Sequence, residues 1–379
     1  MKNLKRVLYF SRDYSTHDHR FLTSLSETNF EVYYLRLENR NDISGSFTDK
    51  VNILPVLKEG KPFNYTGLAK IVNILQKIYS QIKPDLVHVG PIQSCAFLAA
   101  LSGFSPLVSM SWGSDLLVDS EKNNFMRWAT KYTLGRSSLL LGDCQVVKEK
   151  AKEFGFPEEK IILFPWGIDL NLFKPGQETC LRDRLGWQDN FVLLSLRSFE
   201  KIYGVEVVAR AVVRVVTMEP NIRLILLGKG SLENEIKDIF KQSGIIDKIF
   251  FGGSINQSDL PAIYQSADLY LSASYSDGSS VSLMEALASG LPVLVSDIPG
   301  NKEWIENGKN GWLFKSGDEE DLARMILEIY KTKSDDQSIR LAARMTALKK
   351  ANWDLNFQKL LNAYQNVLQP KPMKEGISG

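Results

Sequence analysis

Short apolar runs alternate with longer helical patterns along almost the whole chain. This alternation is typical of parallel sheets covered by helices, because a strand that is buried on both faces has few polar positions. The runs in the first half predict the strands Val7–Phe10, Val32–Leu35, Leu86–Val89, Leu107–Ser111, Ser138–Leu141 and Ile161–Phe164.

The same rhythm begins again in the second half and predicts a second sheet. Its strands are Phe191–Leu196, Leu224–Leu227, Ile249–Phe251, Leu269–Leu271 and Val293–Ser296. Proline and glycine interrupt the segment 165–169 between the halves, as they do in linkers. We therefore predict an α/β protein with two doubly wound domains, 1–170 and 171–352, followed by a C-terminal helix and polar tail in 353–379. Ligand sites in such domains lie at the carboxyl ends of the strands.

The composition excludes several classes of protein. A hydrophobic content of 44% and a charged content of 24% are globular values, which rules out collagen-like and wholly disordered chains. The 46 Lys and Arg residues nearly balance the 44 Asp and Glu residues, so the basic footprint of an obligate nucleic-acid binder is missing. Cys95, Cys144 and Cys180 have neither disulfide nor zinc spacing, which favours a reducing compartment such as the cytosol.

Two segments raise the question of a membrane. Residues 86–114 contain no charged side chain, but glycine and proline divide them into pieces that predict a buried strand, helix and strand. A second apolar pattern at helical spacing runs from Leu68 to Ile82, with Lys70 and Lys77 on the opposite side. It favours a helix that covers a sheet, and a helix that rests on an anionic membrane is the alternative.

The clearest candidate chemistry follows the predicted strand Leu269–Leu271. A loop brings Asp277 and Gly278, and a helix is predicted to begin near Ser280. The N–H groups at a helix start have no partner within the helix, and Gly278 allows a ligand to approach the backbone closely. Together with the Ser279 hydroxyl they predict a site for phosphate or sugar oxygens.

Glu285 lies one to two turns into the same predicted helix. In the functional interpretation, its carboxylate accepts hydrogen bonds from vicinal hydroxyl groups of a ligand. In the alternative, Glu285 only closes a capping box from Ser282 and stabilises the helix start.

Asp277 and Glu285 flank seven residues, and the run Ala-x-Ala-x-Gly-x-Pro-Val follows at 286–293. This arrangement resembles the paired-acid signature of the retaining, GT-B-fold glycosyltransferases of family 4 (glycosyltransferase group 1), although the first acid of that family is usually Glu. Further segments that resemble the family occur in order at 84–88, 165–175, 196–204, 227–230, 267–274 and 310–314.

The resemblance implies a GT-B fold, in which two Rossmann-like domains face a central cleft. The N-terminal domain would bind the acceptor, and the C-terminal domain would bind a nucleotide sugar. Arg197 would place a permanently charged, planar group on the donor diphosphate and stabilise it as it leaves. Glu285 would hold the nucleotide ribose, while the residues from Asp277 to Ser280 would contact the donor sugar and phosphate.

The resemblance also implies a second cation at the diphosphate. Lys201 is one candidate, but Ile202 and Tyr203 separate it from Gly204, whereas the family's lysine generally comes directly before the glycine. Lys229, which lies between two glycines, is the alternative. The chain contains no Asp-x-Asp sequence, so we expect Arg, Lys and helix N–H groups to neutralise the diphosphate without a divalent metal.

The predicted acceptor domain departs from the family pattern after its first strand. Many members have a glycine-rich loop there, whereas this chain has a polar segment. Arg12 is a candidate for contact with phosphate, and Asp13 or His17 for contact with the acceptor. A solvated loop is the alternative for all three.

A second departure lies at Trp112, which stands where the family often has a histidine. Tryptophan cannot act as a base, so Asp115 becomes the polar candidate at this place, with a purely structural role as its alternative. His88 lies inside an apolar strand, and we expect it to be a core residue.

These features predict a metal-independent, retaining glycosyltransferase that needs no cofactor. It would move a hexose or acetamido-hexose from a nucleotide-diphosphate sugar, with UDP favoured, to a glycan or lipid-linked acceptor, as in polysaccharide biosynthesis. A nucleotide-sugar epimerase, which shares the two-domain architecture, and a non-catalytic nucleotide-sugar-binding module are the alternatives. We expect a cytoplasmic protein with no nucleic-acid partner, whose N-terminal domain makes peripheral contact with the inner face of the membrane.

Overall fold

The chain forms two compact α/β units in the computed structural model, which describes residues 4–39, 50–58, 64–65, 67–176, 180–332 and 337–369. One unit contains the residues up to Phe164 together with those from Phe357 onward, and the other contains Pro165–Asn356. The predicted boundaries at 170 and 352 lie a few residues away. Most of the expected polar tail, beyond Gln369, lies outside the described residues.

A parallel sheet forms the centre of the first unit. Its strands are β1 (Lys5–Ser11), β2 (Phe30–Arg36), β3 (Val51–Ile53), β4 (Leu86–Val89), β5 (Leu107–Met110), β6 (Leu139–Gly142) and β7 (Ile161–Leu163). The order is β3-β2-β1-β4-β5-β6-β7, since β1 pairs with both β2 and β4. All strands predicted for this half are confirmed. The sequence pattern missed β3, which is only three residues long.

Helices pack against this sheet. They are α1 (Thr16–Ser26), α2 (Leu68–Ile82), α3 (Phe97–Leu101), α4 (Ser114–Leu117), α5 (Asn124–Arg136) and α6 (Gln145–Glu153). α2 buries Ile71, Leu75 and Tyr79, while Lys70 and Lys77 are exposed. The prediction that α2 covers a sheet is therefore confirmed.

The uncharged stretch 86–114 is divided as predicted. It contains β4, a π-helical turn at Ile92–Ala96, α3 and β5, and most of its side chains are buried. Across the described residues, no helix has both the length and the apolar character needed to cross a bilayer.

The second unit is built around another parallel sheet. Its strands are β8 (Phe191–Leu196), β9 (Ile222–Leu227), β10 (Ile249–Gly253), β11 (Leu269–Ser272), β12 (Val293–Ser296) and β13 (Trp312–Phe314). The order is β10-β9-β8-β11-β12-β13, so the direction of winding reverses between β8 and β11. Open α/β sheets bind ligands outside the carboxyl ends of the strands at such a reversal. The predicted strands are again confirmed, and the three-residue β13 was missed.

The remaining helices are α7 (Leu181–Leu185), α8 (Val205–Met218), α9 (Glu233–Gln242), α10 (Leu260–Gln265), α11 (Val281–Ala288), α12 (Pro299–Lys302), α13 (Glu319–Lys331), α14 (Gln337–Lys350) and α15 (Trp353–Leu368). α8 and α13 pack together on one face of the second sheet, where their valine, leucine and isoleucine side chains form a core with alternate residues of β8 and β9.

The end of α15 belongs to the first unit and reaches its central strand. The Tyr364 hydroxyl is hydrogen-bonded to Nδ1 of His88, and both side chains are fully buried. Burial lowers the pKa of His88 to about 3, so the ring is neutral at physiological pH. The prediction that His88 is a core residue is confirmed, and its partner comes from a helix whose position the sequence did not indicate.

Replacing Tyr364 with Phe removes this hydroxyl and keeps the ring. Because a buried ring nitrogen then loses its partner, we expect the free energy of unfolding to fall by about 1–3 kcal/mol in urea denaturation. Tyr330→Phe is the control, since the Tyr330 ring packs against Phe191 and its hydroxyl has no hydrogen bond among the described residues. Equal changes in the two variants would contradict the assigned bond.

Candidate functional site

The loops that follow β8, β9 and β11 lie in direct backbone contact. A Cβ atom on Gly228 would lie 2.0 Å from the carbonyl oxygen of Arg197, and one on Gly204 would lie 2.2 Å from that of Ala273. Both glycines also have positive φ, +132° and +57°. Any other residue would strain the backbone at these positions, so the glycines fix the paths by which the chain leaves β8 and β11.

Arg197 is the first residue after β8, and only 10% of its side chain is exposed. Nη2 donates to Oδ2 of Asp277 at 2.6 Å, and Nη1 donates to Oγ of Ser280 at 2.6 Å. The guanidinium lies over the Tyr203 ring, 4.1 Å from its centroid. Nε has no hydrogen-bond partner among the described residues, so the Nε–H of this buried guanidinium is available to donate to a ligand.

Electrostatics keep this guanidinium charged. Burial is the largest single effect and lowers the pKa of Arg197, but the charge of Asp277, the contributions of Tyr270 and Tyr203 and the hydrogen bond to Asp277 together raise it by more. The pKa therefore lies above its usual value. A buried, permanently charged group that can form several parallel hydrogen bonds is suited to a phosphate or a carboxylate.

Asp277 is held from two sides. While Oδ2 accepts from Arg197, Oδ1 accepts from the backbone N–H of Gly278 at 3.0 Å. A Cβ atom on Gly300 would lie 2.4 Å from the carbonyl oxygen of Asp277, so the start of α12 packs directly on this loop. The carboxylate is thus kept beside the start of α11.

The start of α11 is left open to an anion. Ser280 occupies the N-cap position, but its side chain makes no capping hydrogen bond and accepts from Arg197 instead. Ser279 and Ser280 are both buried beside the helix start. At the opposite end, Arg344 donates to the carbonyl oxygen of Ala288 at 2.8 Å. Because the N-cap Ser280 contacts Arg197, the N-terminus of α11, which is the positive end of the helix dipole, lies beside the Arg197 guanidinium.

Glu285 projects from α11 into a buried polar cluster and is 3% exposed. Its Oε2 accepts from the Tyr264 hydroxyl at 2.8 Å, which also lies 3.2 Å from the carbonyl oxygen of Ser282. The Ser282 hydroxyl lies 2.7 Å from that of Tyr270, and Ser282 is not the N-cap. The capping box proposed as the alternative for Glu285 is therefore wrong.

The two lysine candidates are both exposed on loops at the carboxyl edge of the second sheet. Lys201 begins a 3-10 turn, Lys201–Tyr203, in the loop that carries Arg197. Lys229 follows β9, and its Cε lies 3.5 Å from the position that a Cβ on Gly253 would take. Both remain candidates for a second cation.

The structure brings two of the acceptor-side candidates to the carboxyl ends of β1 and β2. Nε of Arg12 donates to Oε1 of Glu38 at 3.1 Å, and Nη1 of Arg36 lies 3.7 Å from Oδ1 of Asp13. Glu38 and Arg36 are almost fully buried. Both candidates are thus already engaged in ion pairs, and a phosphate at Arg12 would compete with Glu38.

His17 lies in α1, and its ring centroid is 5.2 Å from that of Trp112. Burial, with a smaller contribution from the charge of Arg20, lowers the pKa of His17 to about 4. The ring is therefore neutral near pH 7, a state in which it can accept a proton.

Asp115 is an internal hydrogen-bond acceptor. Oδ1 accepts from the Ser111 hydroxyl at 2.6 Å and from the N–H groups of Trp112 and Leu116, and Oδ2 accepts from the N–H of Ile92. Burial raises its pKa to about 6. These bonds tie the loop after β5 to the turn after β4, so each of its observed contacts has a structural role.

Sequence reasoning missed three tyrosines at the site: Tyr203 under the Arg197 guanidinium, Tyr264 at Glu285 and Tyr270 at Ser282. Tyr264 and Tyr270 occur in apolar segments and pack their rings in the core. Their pattern of hydrophobicity matches that of Phe or Leu, so only the geometry shows where their hydroxyls point.

Two family models match the sequence of this chain, one in each half. The family model described as "Glycosyl transferases group 1" matches residues 178–346, and the model "Glycosyl transferase 4-like" matches residues 6–143. The chain belongs to the group 1, family 4-like glycosyltransferases.

Curated relatives of this chain include two enzymes of different specificity. The alpha-monoglucosyldiacylglycerol synthase of Streptococcus pneumoniae is 30% identical over 217 residues, which is 55% of this chain and 48% of the relative. The N-acetyl-alpha-D-glucosaminyl L-malate synthase of Bacillus anthracis is 24% identical over 315 residues, 81% and 79% of the two chains. The chain spans between 48% and 64% of the length of the first four curated relatives that it matches.

A solved structure confirms the fold. The Anabaena protein HepE, crystallised with UDP and glucose, superimposes with a TM-score of 0.80 at 19% identity, covering 96% of this chain and all of HepE. The chain therefore has the predicted GT-B fold with two Rossmann-like domains.

Tyr264→Phe tests the polar cluster around Glu285. The substitution removes the hydroxyl donated to the carboxylate, so Glu285 loses its orientation, and we expect the affinity for UDP in calorimetric titration to fall at least several-fold. Tyr270→Phe is the matched control, because its hydroxyl contacts Ser282 and not Glu285. Unchanged UDP affinity in Tyr264→Phe would contradict the ribose contact that the resemblance implies for Glu285.

Proposed function

We propose that this protein is a retaining glycosyltransferase that moves a hexose or acetamido-hexose from a nucleotide-diphosphate sugar to a glycan or lipid-linked acceptor, without a divalent metal. The observation that carries the proposal is the buried Arg197 guanidinium, which meets Asp277 and Ser280 at the start of α11. This cluster lies at the reversal of strand order between β8 and β11.

The chemistry of the cluster suits a departing diphosphate. As the bond between the anomeric carbon and the phosphate oxygen breaks, negative charge grows on the diphosphate. The guanidinium lies over the Tyr203 ring at the end of β8, so once the diphosphate is bound it stabilises that charge with little further reorganisation. The α11 N-terminus adds partial positive charge, and Lys201 or Lys229 adds a further cation.

In the family's usual account, the acceptor hydroxyl attacks the anomeric carbon from the face that the diphosphate leaves, and a phosphate oxygen takes its proton. A new glycosidic bond forms, and the nucleoside diphosphate carries the proton away. The contacts of Asp277 support this route, because Oδ2 pairs with Arg197 in the absence of a donor and the Gly278 N–H holds Oδ1 in the loop, so the carboxylate can turn to the sugar hydroxyls when the diphosphate takes its place at Arg197. Its proposed role is to orient the donor sugar.

Metal independence is supported by the same cations. The chain contains no Asp-x-Asp sequence, and among the described residues no group of three or more His, Cys, Asp or Glu side chains could hold a metal ion. Arg197 and the helix N-terminus can instead neutralise the diphosphate.

The names of similar proteins support the choice of substrates. HepE binds UDP and UDP-glucose in its crystals, which favours UDP as the nucleotide. One relative is named for diacylglycerol glucosylation and another, from Erwinia amylovora, for amylovoran biosynthesis, which favours a lipid-linked or polysaccharide acceptor. The spacing of Cys95, Cys144 and Cys180 indicates no disulfide framework, which supports a cytoplasmic location.

The test is incubation of the full chain with UDP-, GDP- and ADP-sugars, with and without lipid and glycan acceptors, in the presence and absence of EDTA. We expect nucleotide release only with an acceptor, an unchanged rate in EDTA, and a product whose anomeric configuration equals that of the donor by NMR. Isomerised donor would indicate the epimerase, binding without turnover would indicate the binding module, and strong EDTA inhibition would contradict metal independence.

In the same assay, Arg197→Ala should reduce turnover about 100-fold, which corresponds to roughly 3 kcal/mol of transition-state stabilisation. Arg197→Lys keeps the charge but loses the planar fork, so we expect an intermediate rate. Arg214→Ala is the matched control, since Arg214 is half-exposed on α8 and pairs with Glu319 of α13, which is not part of the Arg197 cluster. A change of less than tenfold in Arg197→Ala would show that Arg197 does not hold the leaving group.

A further inference from the structure

The outer face of α5 carries a stripe of aromatic side chains. Phe125, Trp128 and Tyr132 are spaced i, i+3 and i+7, so they lie on one side of the helix. Trp128 is 52% exposed and Phe125 is 39% exposed. The ring centroids are 5.8 Å and 5.5 Å apart along the stripe. A continuous, exposed apolar surface of this kind marks a place where a protein meets a partner.

The three rings of the stripe pack on one buried aromatic ring. Phe97 of α3 is 1% exposed, and its ring centroid lies 5.6 Å from that of Trp128, 6.0 Å from that of Phe125 and 6.0 Å from that of Tyr132. The opposite side of α5 is buried through Thr130, Thr133 and Leu134. The aromatic rings are therefore presented by a packed helix and cannot turn inward.

The charges around the stripe identify the partner's chemistry. α5 contains Arg127, Lys131 and Arg136 and no acidic residue. Arg127 is paired with Glu121 at 2.6 Å, whereas Arg136 lies 5.4 Å from the centroid of the Tyr132 ring. By helical spacing, Lys131 and Arg136 lie on opposite flanks of the stripe. They can meet an anionic surface while the rings meet an apolar one.

A leaflet that contains anionic lipid presents both features at once. Tryptophan and tyrosine rings favour the headgroup level of a bilayer, and flanking Lys and Arg side chains bind its phosphates. A protein partner would need an apolar pocket surrounded by acidic residues, and the α5 face has no feature that requires such a pocket. We infer that the outer face of α5 docks this protein onto membranes that contain anionic lipid.

This assignment moves the membrane contact away from α2, the amphipathic helix that the sequence singled out. α2 exposes Lys70 and Lys77, but its large apolar side chains pack toward the sheet, and along its described length none is among the large hydrophobic residues exposed to solvent. α5 combines exposed rings with Lys131 and Arg136, which form no ion pair among the described residues, and is the better docking surface. The inference goes beyond the transfer reaction and stands even if the donor assignment fails.

The experiment is co-sedimentation of the full chain with vesicles of phosphatidylcholine, with and without about one-third phosphatidylglycerol. We expect binding to the anionic vesicles that weakens with added salt. Trp128→Ala should weaken the partition about tenfold through lost apolar contact, and Lys131→Glu with Arg136→Glu should weaken it at least about fivefold. Circular dichroism melting checks that each variant is folded.

Two controls locate the effect. Met345→Ser removes a side chain that is 54% exposed on α14 of the second unit, and Lys70→Glu with Lys77→Glu reverses the charges of α2. Neither should change the partition. The inference is overturned if the wild-type chain does not bind anionic vesicles, or if the α2 pair weakens binding as much as the α5 pair. It is also overturned if Trp128→Ala leaves vesicle binding intact and only abolishes self-association in light scattering.

Discussion

A buried guanidinium must have an anionic partner, and that requirement organises the candidate site. Without a ligand, Asp277 supplies the negative charge for Arg197 across 80 residues of sequence. This ion pair joins the carboxyl ends of β8 and β11, where the strand order reverses. A bound diphosphate would offer Arg197 a stronger, multidentate partner and would leave the Asp277 carboxylate to the sugar hydroxyls. One residue thereby links phosphate binding to the orientation of the donor sugar.

Backbone contacts make this pairing possible. Gly228 lets the loop after β9 touch the Arg197 carbonyl, and Gly300 lets α12 touch the Asp277 carbonyl. The two ends of the ion pair are therefore held by main chain, and their side chains need little further ordering. Beneath them, the Tyr264 and Tyr270 hydroxyls satisfy Glu285 and Ser282 in a buried environment, where an unpartnered polar group would be costly.

Much of the fold could be predicted because buried parallel strands produce apolar runs that few other elements imitate. β3 and β13 escaped detection because their apolar runs are at most three residues long, whereas β7, an equally short strand, lies in the four-residue apolar run Ile161–Phe164. At the site, the spacing of Asp277 and Glu285 and the resemblance it supports identified Arg197, Asp277 and Ser280, which the structure does bring together. The sequence could not reveal that the Ser280 hydroxyl accepts from Arg197 instead of capping α11, or that backbone N–H groups surround Asp115. Both features depend on contacts between segments that are distant in the sequence.

The central claim is that Arg197 holds the donor diphosphate, and a crystal structure of the full chain with UDP tests it most directly. The account predicts that the Arg197 guanidinium lies within about 3 Å of phosphate oxygens, that the α11 N–H groups face the same phosphates, and that the Asp277 carboxylate has left Arg197. A complex in which UDP is bound, the Arg197–Asp277 pair is intact and the phosphates lie elsewhere would contradict it.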